Sequence, residues 1–124
     1  MNAPLDAGMQ PLVLSAVANG IATLTMNRGE RFNALSVAMI EALEAALDAI
    51  AGDSGVRVVV IAGVGRAFCA GHDLREMRSN ADYDSQRALF DACTRMMLKL
   101  TRLPQPVIAR VHGAAAAAGC QLVS

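Results

Sequence analysis

Residues 57–77, RVVVIAGVGRAFCAGHDLREM, form the stretch that decides the fold of this 124-residue chain. Residues 58–61 are a continuous β-branched run, which is typical of a strand buried on both faces in a sheet covered by helices. The glycine-bearing residues 63–73 predict a loop, and residues 74–77 predict the start of a short helix. A buried strand that leads through small residues into a helix predicts an α/β fold.

The residues that precede this stretch predict a β-hairpin. Residues 12–17 and 21–26 are runs of β-forming residues, and Asn19 and Gly20 between them tolerate the positive φ angles of a tight turn. Residues 27–33 are mostly polar and predict a loop.

The sequence also predicts two amphipathic helices. The first is capped by Ser36, runs to about Ala51 and carries its apolar residues on one face: Met39, Ile40, Leu43, Leu47 and Ile50. The second covers residues 83–103 and has a similar apolar stripe: Leu89, Phe90, Cys93, Met96, Met97 and Leu100. Pro104 ends this second helix, because proline cannot continue the helical hydrogen bonding.

The last part of the sequence repeats the pattern of strand and helix. Residues 107–111 predict a second buried strand, and an Ala-rich helix is expected from about Ala115. The order of elements is then hairpin, helix, strand, helices, strand and helix. This alternation favours parallel strands joined by right-handed crossovers.

The composition disfavours several classes of protein. The chain is 54% hydrophobic and has a formal net charge of +0, from 11 basic and 11 acidic residues. Proteins that bind nucleic acid usually carry a positive excess and aromatic side chains that stack on bases, but aromatic residues are only 3% here. Residues 1–62 have three basic and six acidic residues, whereas residues 63–124 have eight and five. The positive half fits either an anionic small ligand or a solvated helix surface.

The cysteines and the apolar segments bear on the location of the protein. Cys69, Cys93 and Cys120 are an odd set without CxxC spacing, so we expect buried side chains in a reducing compartment rather than a disulfide or a zinc site. The N-terminus has no basic segment before an apolar stretch, and the apolar residues 106–124 include an arginine and a histidine. We therefore expect no signal peptide, no membrane span and a cytoplasmic location.

Small residues follow both of the predicted buried strands, before a helix begins. One such junction lies at residues 63–71, and the other contains Gly113 and Gly119. Backbone N–H groups at such a junction can hold an anion or a developing oxyanion, and small side chains let a substrate approach them. The alternative is that these residues only permit tight packing of strand against helix.

A dinucleotide site is a further alternative for the first junction. Residues 63–68, GVGRAF, contain the first two glycines of a dinucleotide-binding fingerprint but have Phe68 where the third glycine is needed. No lysine followed by Ser or Thr is found after these glycines, which excludes a phosphate-binding P-loop.

Three segments, residues 21–35, 57–77 and 106–122, carry a resemblance to a known family. They resemble the enoyl-CoA hydratase/isomerase family, the crotonase superfamily, and the ending AGCQL is most similar to a divergent hydratase-domain-containing branch. The resemblance implies a crotonase-like (ClpP/crotonase) spiral of ββα units, usually assembled as a homotrimer or hexamer. Residues 12–124 would be the N-terminal half of that domain, and residues 1–11 a flexible N-terminus.

The resemblance also implies a site. The family acts on acyl-CoA thioesters without a covalently bound cofactor or a metal, and two backbone N–H groups stabilise a thioester enolate. Carried over to this sequence, the two donors are the N–H groups of His72 and Ala118. The residues implied to line the path of the CoA thioester, from its reactive end to its nucleotide, are the following: Arg31, Arg66, Ala70, Gly71, His72, Asp73, Leu74 and Arg75.

Four side chains near this site need separate interpretation. The His72 imidazole is either a general base or a side chain at a variable position. Asp73 is expected to cap the following helix, since adjacent side chains diverge and make a poor start for a catalytic triad. Cys69 is expected to be inert in a packed loop. Gln121 stands where hydratases of the family place a Glu, and an amide cannot exchange a proton at neutral pH.

Two functions are consistent with these residues. We expect hydration or isomerisation of an acyl-CoA thioester, as in fatty acid metabolism, through an enolate held by the two N–H groups. The alternative is a non-catalytic or divergent CoA-thioester-binding protein, which lacks hydratase activity because Gln121 replaces the family Glu. Binding of a dinucleotide instead of CoA would overturn both.

Overall fold

The computed structural model describes residues 10–123, which form an α/β arrangement. The strands are β1 (Val13–Ala18), β2 (Ile21–Met26), β3 (Val58–Gly63), β4 (Ala67–Cys69), β5 (Val107–Ala109) and β6 (Ala114–Ala115). The helices are α1 (Val37–Ala51), α2 (Leu74–Ser79), α3 (Tyr83–Arg102) and α4 (Ala118–Val123), with a 3₁₀ turn at Gly29–Arg31. Most of the segment 1–11, expected to be a flexible N-terminus, lies outside the described residues.

The main sheet has the strand order β1-β2-β3-β5. β1 and β2 form the predicted antiparallel hairpin, with Val13 opposite Met26. Its turn places Asn19 at φ 54° and Gly20 at φ 79°, the left-handed angles of a two-residue turn whose twist matches that of the strands. β3 is parallel to β2, and β5 is parallel to β3. These parallel pairs, with helices between them in sequence, confirm the predicted α/β class.

Helix α1 packs against the hairpin strands and α3, and it supplies much of the core. Ser36 Oγ accepts a hydrogen bond from Met39 N at 3.1 Å, so Ser36 caps the helix as predicted. The five predicted apolar residues of α1 are all buried. Ion pairs also join the two helices, since Arg95 Nε and Lys99 Nζ lie 3.2 and 3.0 Å from Glu44 Oε2.

The loop predicted for residues 63–73 contains a strand that the sequence analysis missed. All three residues of β4 are buried, and β4 pairs in parallel with β6 to form a second sheet. A three-residue apolar run is too short to show the alternation by which a strand is recognised. The second sheet therefore could be found only through its pairing.

The Ala-rich helix begins later than predicted. The prediction of a start near Ala115 is wrong, because this residue ends β6 and the helix begins at Ala118. Alanine strongly favours helix, but pairing with β4 outweighs this local preference, and Ala116 N donates to Cys69 O at 3.0 Å. Ala117, with φ 50°, makes the left-handed turn from strand to helix.

Burial differs from prediction at several positions. β3 has three buried and three half-buried residues instead of being buried on both faces. β5 was predicted to be buried, yet Ile108 is 54% exposed, because β5 is the edge strand of the main sheet. Phe90, expected in the apolar stripe of α3, is 45% exposed. Cys69 and Cys93 are buried as predicted, whereas Cys120 is exposed.

Candidate active site

Asn33 fixes the loop after β2 against the connection between β3 and β4. Its side chain is fully buried, and Nδ2 donates to the carbonyl oxygens of Val64, Ala67 and Phe68 at 2.9, 3.1 and 3.1 Å. Its Oδ1 accepts a hydrogen bond from Arg28 N at 2.8 Å. This role of Asn33 was not predicted from the sequence, because a single amide in a polar loop does not show that it will be buried.

The parallel pairing of β4 with β6 brings the two predicted junctions together. Cys69 at the end of β4 is the register partner of Ala115. Glycines allow the close approach: a Cβ on Gly119 would lie 2.2 Å from Cys69 O, and a Cβ on Gly71 would lie 3.4 Å from Ala118 N. The small residues therefore do permit tight packing, and that packing sets the end of β4 beside the start of α4.

The backbone N–H groups of His72 and Ala118 donate no hydrogen bond to another residue of the described range 10–123. His72 forms a parallel bridge with Leu35, but the bonds of this bridge run from Leu35 N to Gly71 O at 2.7 Å and from Asp73 N to Leu35 O at 3.4 Å. The bridge therefore leaves the N–H of His72 unused. Ala118 begins α4, and the first N–H groups of a helix have no partner within it.

A cleft of about 480 Å³, here called the α3 cleft, lies against one side of α3. It brings together the three residues that were predicted to be catalytic: His72, Ala118 and Gln121. The rest of its lining comes from α3 and is mostly apolar: Phe90, Cys93, Thr94, Met97 and Leu98. The cleft thus combines two residues that have unused backbone N–H groups with a wall that an apolar chain could contact.

A second cleft, of about 550 Å³ and here called the α2 cleft, is also lined by His72, so the two clefts meet at this residue. It contains five more of the residues implied to bind CoA: Arg31, Ala70, Asp73, Leu74 and Arg75. Gly71 is buried between Ala70 and His72. Arg66 is exposed and lies before β4, at the opposite end of that strand from Ala70. About 13 Å of extended chain separates these two residues, so the structure does not bring Arg66 to the other candidates.

Both carboxylate oxygens of Asp73 have partners. Oδ1 accepts hydrogen bonds from Arg75 N at 3.0 Å and Glu76 N at 3.1 Å, so Asp73 caps α2 as predicted. Oδ2 lies 3.6 Å from Arg31 Nη2. No hydrogen bond joins Asp73 to the His72 ring among the described residues.

The His72 ring is half-buried at the meeting point of the two clefts. It packs edge-on against Phe90, with ring centroids 4.9 Å apart and an interplanar angle of 79°. Nδ1 is enclosed and has no hydrogen-bond partner among the described residues. Burial lowers the pKa of His72, while the backbone of Leu35 acts in the opposite direction. The ring is therefore uncharged at neutral pH.

Other kinds of chemistry find less support at this site. Burial raises the pKa of the Cys69 thiol, and its Sγ donates to Asn33 O at 3.2 Å, so this cysteine is a poor nucleophile. Between residues 10 and 123, no cluster of three His, Cys, Asp or Glu side chains could hold a metal ion.

The same residues include no helix long and apolar enough to cross a membrane. Gly63 leads into β4 and not into a helix, unlike the glycine turn of a dinucleotide site.

The pKa of His72 predicts how stability depends on pH. A histidine that is held neutral in the folded chain stabilises it above the unfolded pKa of about 6.5, and this stability is lost as the pH falls through the lower folded pKa. We expect the free energy of unfolding to decrease between about pH 7.5 and about pH 5.5, and to decrease less in His72→Gln. Urea unfolding at both pH values measures this, with His112→Gln as the control. An equal decrease in the wild type and His72→Gln would contradict it.

Comparisons with known proteins agree with this arrangement. The family model described as enoyl-CoA hydratase/isomerase matches residues 16–124. Enoyl-CoA hydratase domain-containing protein 3, mitochondrial, from Danio rerio is 37% identical over 124 residues, which are 100% of this chain and 43% of that protein. The 1,2-epoxyphenylacetyl-CoA isomerase of Escherichia coli is 35% identical over 117 residues, 92% of this chain and 45% of that protein.

Solved structures show the same fold. A crystal structure of enoyl-CoA hydratase from Mycobacterium smegmatis matches with a TM-score of 0.89 and 54% identity, over 91% of this chain and 44% of that chain. Human enoyl-CoA hydratase domain-containing protein 3 matches with a TM-score of 0.85 and 33% identity, over 91% and 44%. The chain spans less than half the length of these relatives and has the N-terminal part of the crotonase fold. The chain belongs to the enoyl-CoA hydratase/isomerase family.

Proposed function

We propose that this protein binds an acyl-CoA thioester and stabilises its enolate with the backbone N–H groups of His72 and Ala118. One observation carries the proposal: both N–H groups donate to no described residue, and both residues line the α3 cleft. Backbone donors that are fixed before the reaction stabilise the negative charge that develops on the thioester oxygen, and they need no reorganisation as it forms.

The two clefts fit the two ends of such a ligand. The mostly apolar α3 cleft would hold the acyl chain, and the α2 cleft would hold the pantetheine and the phosphates. Arg31 and Arg75 line the α2 cleft, and guanidinium groups pair well with phosphate. At 3.6 Å, the Arg31–Asp73 ion pair is long enough for a phosphate to compete for Arg31. Arg66, at the far end of β4, would contact only the nucleotide end of the ligand.

Hydration and isomerisation of the thioester are the reactions that this site supports best, because both can pass through an enolate. Gln121 favours a second candidate function, binding of a CoA thioester without hydratase activity. Gln121 lines the α3 cleft, where its amide can orient water but cannot give or take a proton at neutral pH. Turnover of crotonyl-CoA to the hydroxyacyl product or to its double-bond isomer separates the two candidates, since only the first yields either product.

The proposal includes the setting in which the protein acts. The thioester is the substrate, no cofactor is bound, and the assembly is a homotrimer or hexamer. We infer a cytoplasmic location from the unpaired cysteines. The Danio rerio relative is described as mitochondrial, and fractionation of the native cells would decide the location of this protein.

The enolate site is tested with two ligands that differ only at the carbonyl. Butyryl-CoA is a thioester, and S-butyl-CoA is the thioether in which a CH₂ group replaces the carbonyl. The thioether loses two hydrogen bonds of about 1 kcal/mol each, so we expect it to bind roughly 30-fold more weakly in isothermal titration calorimetry. Equal affinity for the two ligands would overturn the enolate site. Failure of both to bind would overturn the CoA-thioester proposal as a whole.

A further inference from the structure

The lining of the α3 cleft leaves few groups that could move a proton. Its eight residues include two titratable side chains, His72 and Cys93. Burial raises the pKa of Cys93, so its thiol remains protonated at neutral pH. The amide of Gln121 and the hydroxyl of Thr94 do not titrate in this range. Among the described residues that line this cleft, His72 is therefore the one side chain suited to proton transfer near pH 7.

The charged residues that line the α2 cleft together with His72 are Glu30, Arg31, Asp73 and Arg75. Asp73 is the acid closest in sequence, but its oxygens are engaged by the N–H groups at the start of α2 and by Arg31. It therefore does not compete with His72 for a substrate proton. The burial of the ring acts against its protonation.

The position of the His72 ring is set by its packing. The edge-on contact with Phe90 holds the ring against α3. Nδ1 is enclosed and has no hydrogen-bond partner among the described residues, and an unsatisfied buried polar atom lowers stability. A catalytic role is one explanation for such a loss of stability.

We propose that the His72 imidazole is a catalytic residue that takes a proton from the acyl chain of the thioester. The inference rests on the proposed function, because the same residue's N–H would hold the enolate oxygen. The ring nitrogen that carries the lone pair forms an N–H bond as the α C–H bond breaks. The C–H electron pair forms the enolate double bond, and the carbonyl π pair moves to oxygen. The imidazolium then returns the proton to carbon, so nothing else is consumed.

The test is deuterium exchange into butyryl-CoA in D₂O, followed by mass spectrometry. Butyryl-CoA is saturated, so hydration cannot interfere with the measurement. We expect the wild-type protein to label the α-carbon, and His72→Gln to lower the rate at least 100-fold. His72→Gln keeps the backbone N–H, so we expect it to bind butyryl-CoA within about threefold of the wild type and to prefer it to S-butyl-CoA. The other histidine, His112, lines neither cleft, and His112→Gln is the matched control.

Two further measurements distinguish a catalytic role of His72 from a purely structural one. In the wild type, the exchange rate should decrease as the pH falls through the pKa of His72. The exchange rate of His72→Gln should not show this decrease. Added imidazole should partly restore exchange in His72→Ala, because it supplies the missing base. Unchanged exchange in His72→Gln, or thioester binding by the wild type without exchange above the buffer rate, would overturn this inference alone. Failure of the wild type to distinguish butyryl-CoA from S-butyl-CoA would overturn the proposed function.

Discussion

We expect Gly119→Ala to lower the free energy of unfolding by about 3 kcal/mol and to remove the preference for thioester over thioether. The added Cβ would lie 2.2 Å from the carbonyl oxygen of Cys69 and 2.8 Å from its carbonyl carbon. These are backbone atoms of β4, which cannot rotate away as the end of a side chain could. To relieve the clash, β4 and α4 must separate, and the N–H groups of His72 and Ala118 then lose their common position.

Gly52→Ala is the matched control for this substitution. Gly52 ends α1 at φ −91°, and a Cβ there would meet no atom within 4 Å. Alanine reduces the freedom of the unfolded chain, so we expect the control to change stability by less than about 1 kcal/mol. Urea unfolding gives the stability of both variants, and calorimetry with butyryl-CoA and S-butyl-CoA gives the preference. If Gly119→Ala were as stable and selective as Gly52→Ala, the close contact of β4 with α4 would not hold the site together.

We expect Asn33→Asp to lower the free energy of unfolding by about 3–5 kcal/mol at neutral pH, although the two side chains have almost the same shape. The Nδ2 group of Asn33 donates to three carbonyl oxygens at 2.9–3.1 Å in a fully buried position. A carboxylate oxygen there would face the same three oxygens without a hydrogen to share, and its charge would be buried without a cation. Since Asp also tolerates the left-handed φ of 52°, the backbone conformation is not the cause of the loss.

The pH dependence distinguishes this cause from a general packing defect. Burial raises the pKa of the introduced carboxyl, so protonation below that pKa restores one donor, and the deficit relative to the wild type should be smaller in acid. Asn27→Asp is the control, because Nδ2 of Asn27 donates a single exposed hydrogen bond, to Pro11 O at 3.0 Å. We expect Asn27→Asp to cost less than about 1 kcal/mol. A deficit for Asn33→Asp that is small, or independent of pH, would contradict this explanation.

Local signals predicted those parts of the site that depend on neighbouring residues. Asp73 caps α2, and a capping side chain acts on N–H groups two or three residues away. His72, Ala118 and Gln121 line one cleft, and these are the three residues that the family resemblance implies to be catalytic. The distance of Arg66 from the other candidate residues could not be predicted, because the sequence did not indicate the strand β4 between Arg66 and Ala70.

The sequence by itself determined the elements whose stability is local. The hairpin turn at Asn19 and Gly20 and the buried stripe of α1 follow from backbone freedom and from periodic burial within a few residues. The segments 21–35, 57–77 and 106–122 also indicated the family, and the family model matches residues 16–124.

Only the tertiary structure decided the second sheet and the site built on it. β4 and β6 are too short to be stable alone, and the Ala-rich segment of β6 would favour a helix in isolation. Their pairing joins residues more than 40 positions apart, and the buried amide of Asn33 secures the adjoining loop. His72 and Ala118 line one cleft because hydrogen bonds between distant segments outweigh the local preferences of each segment.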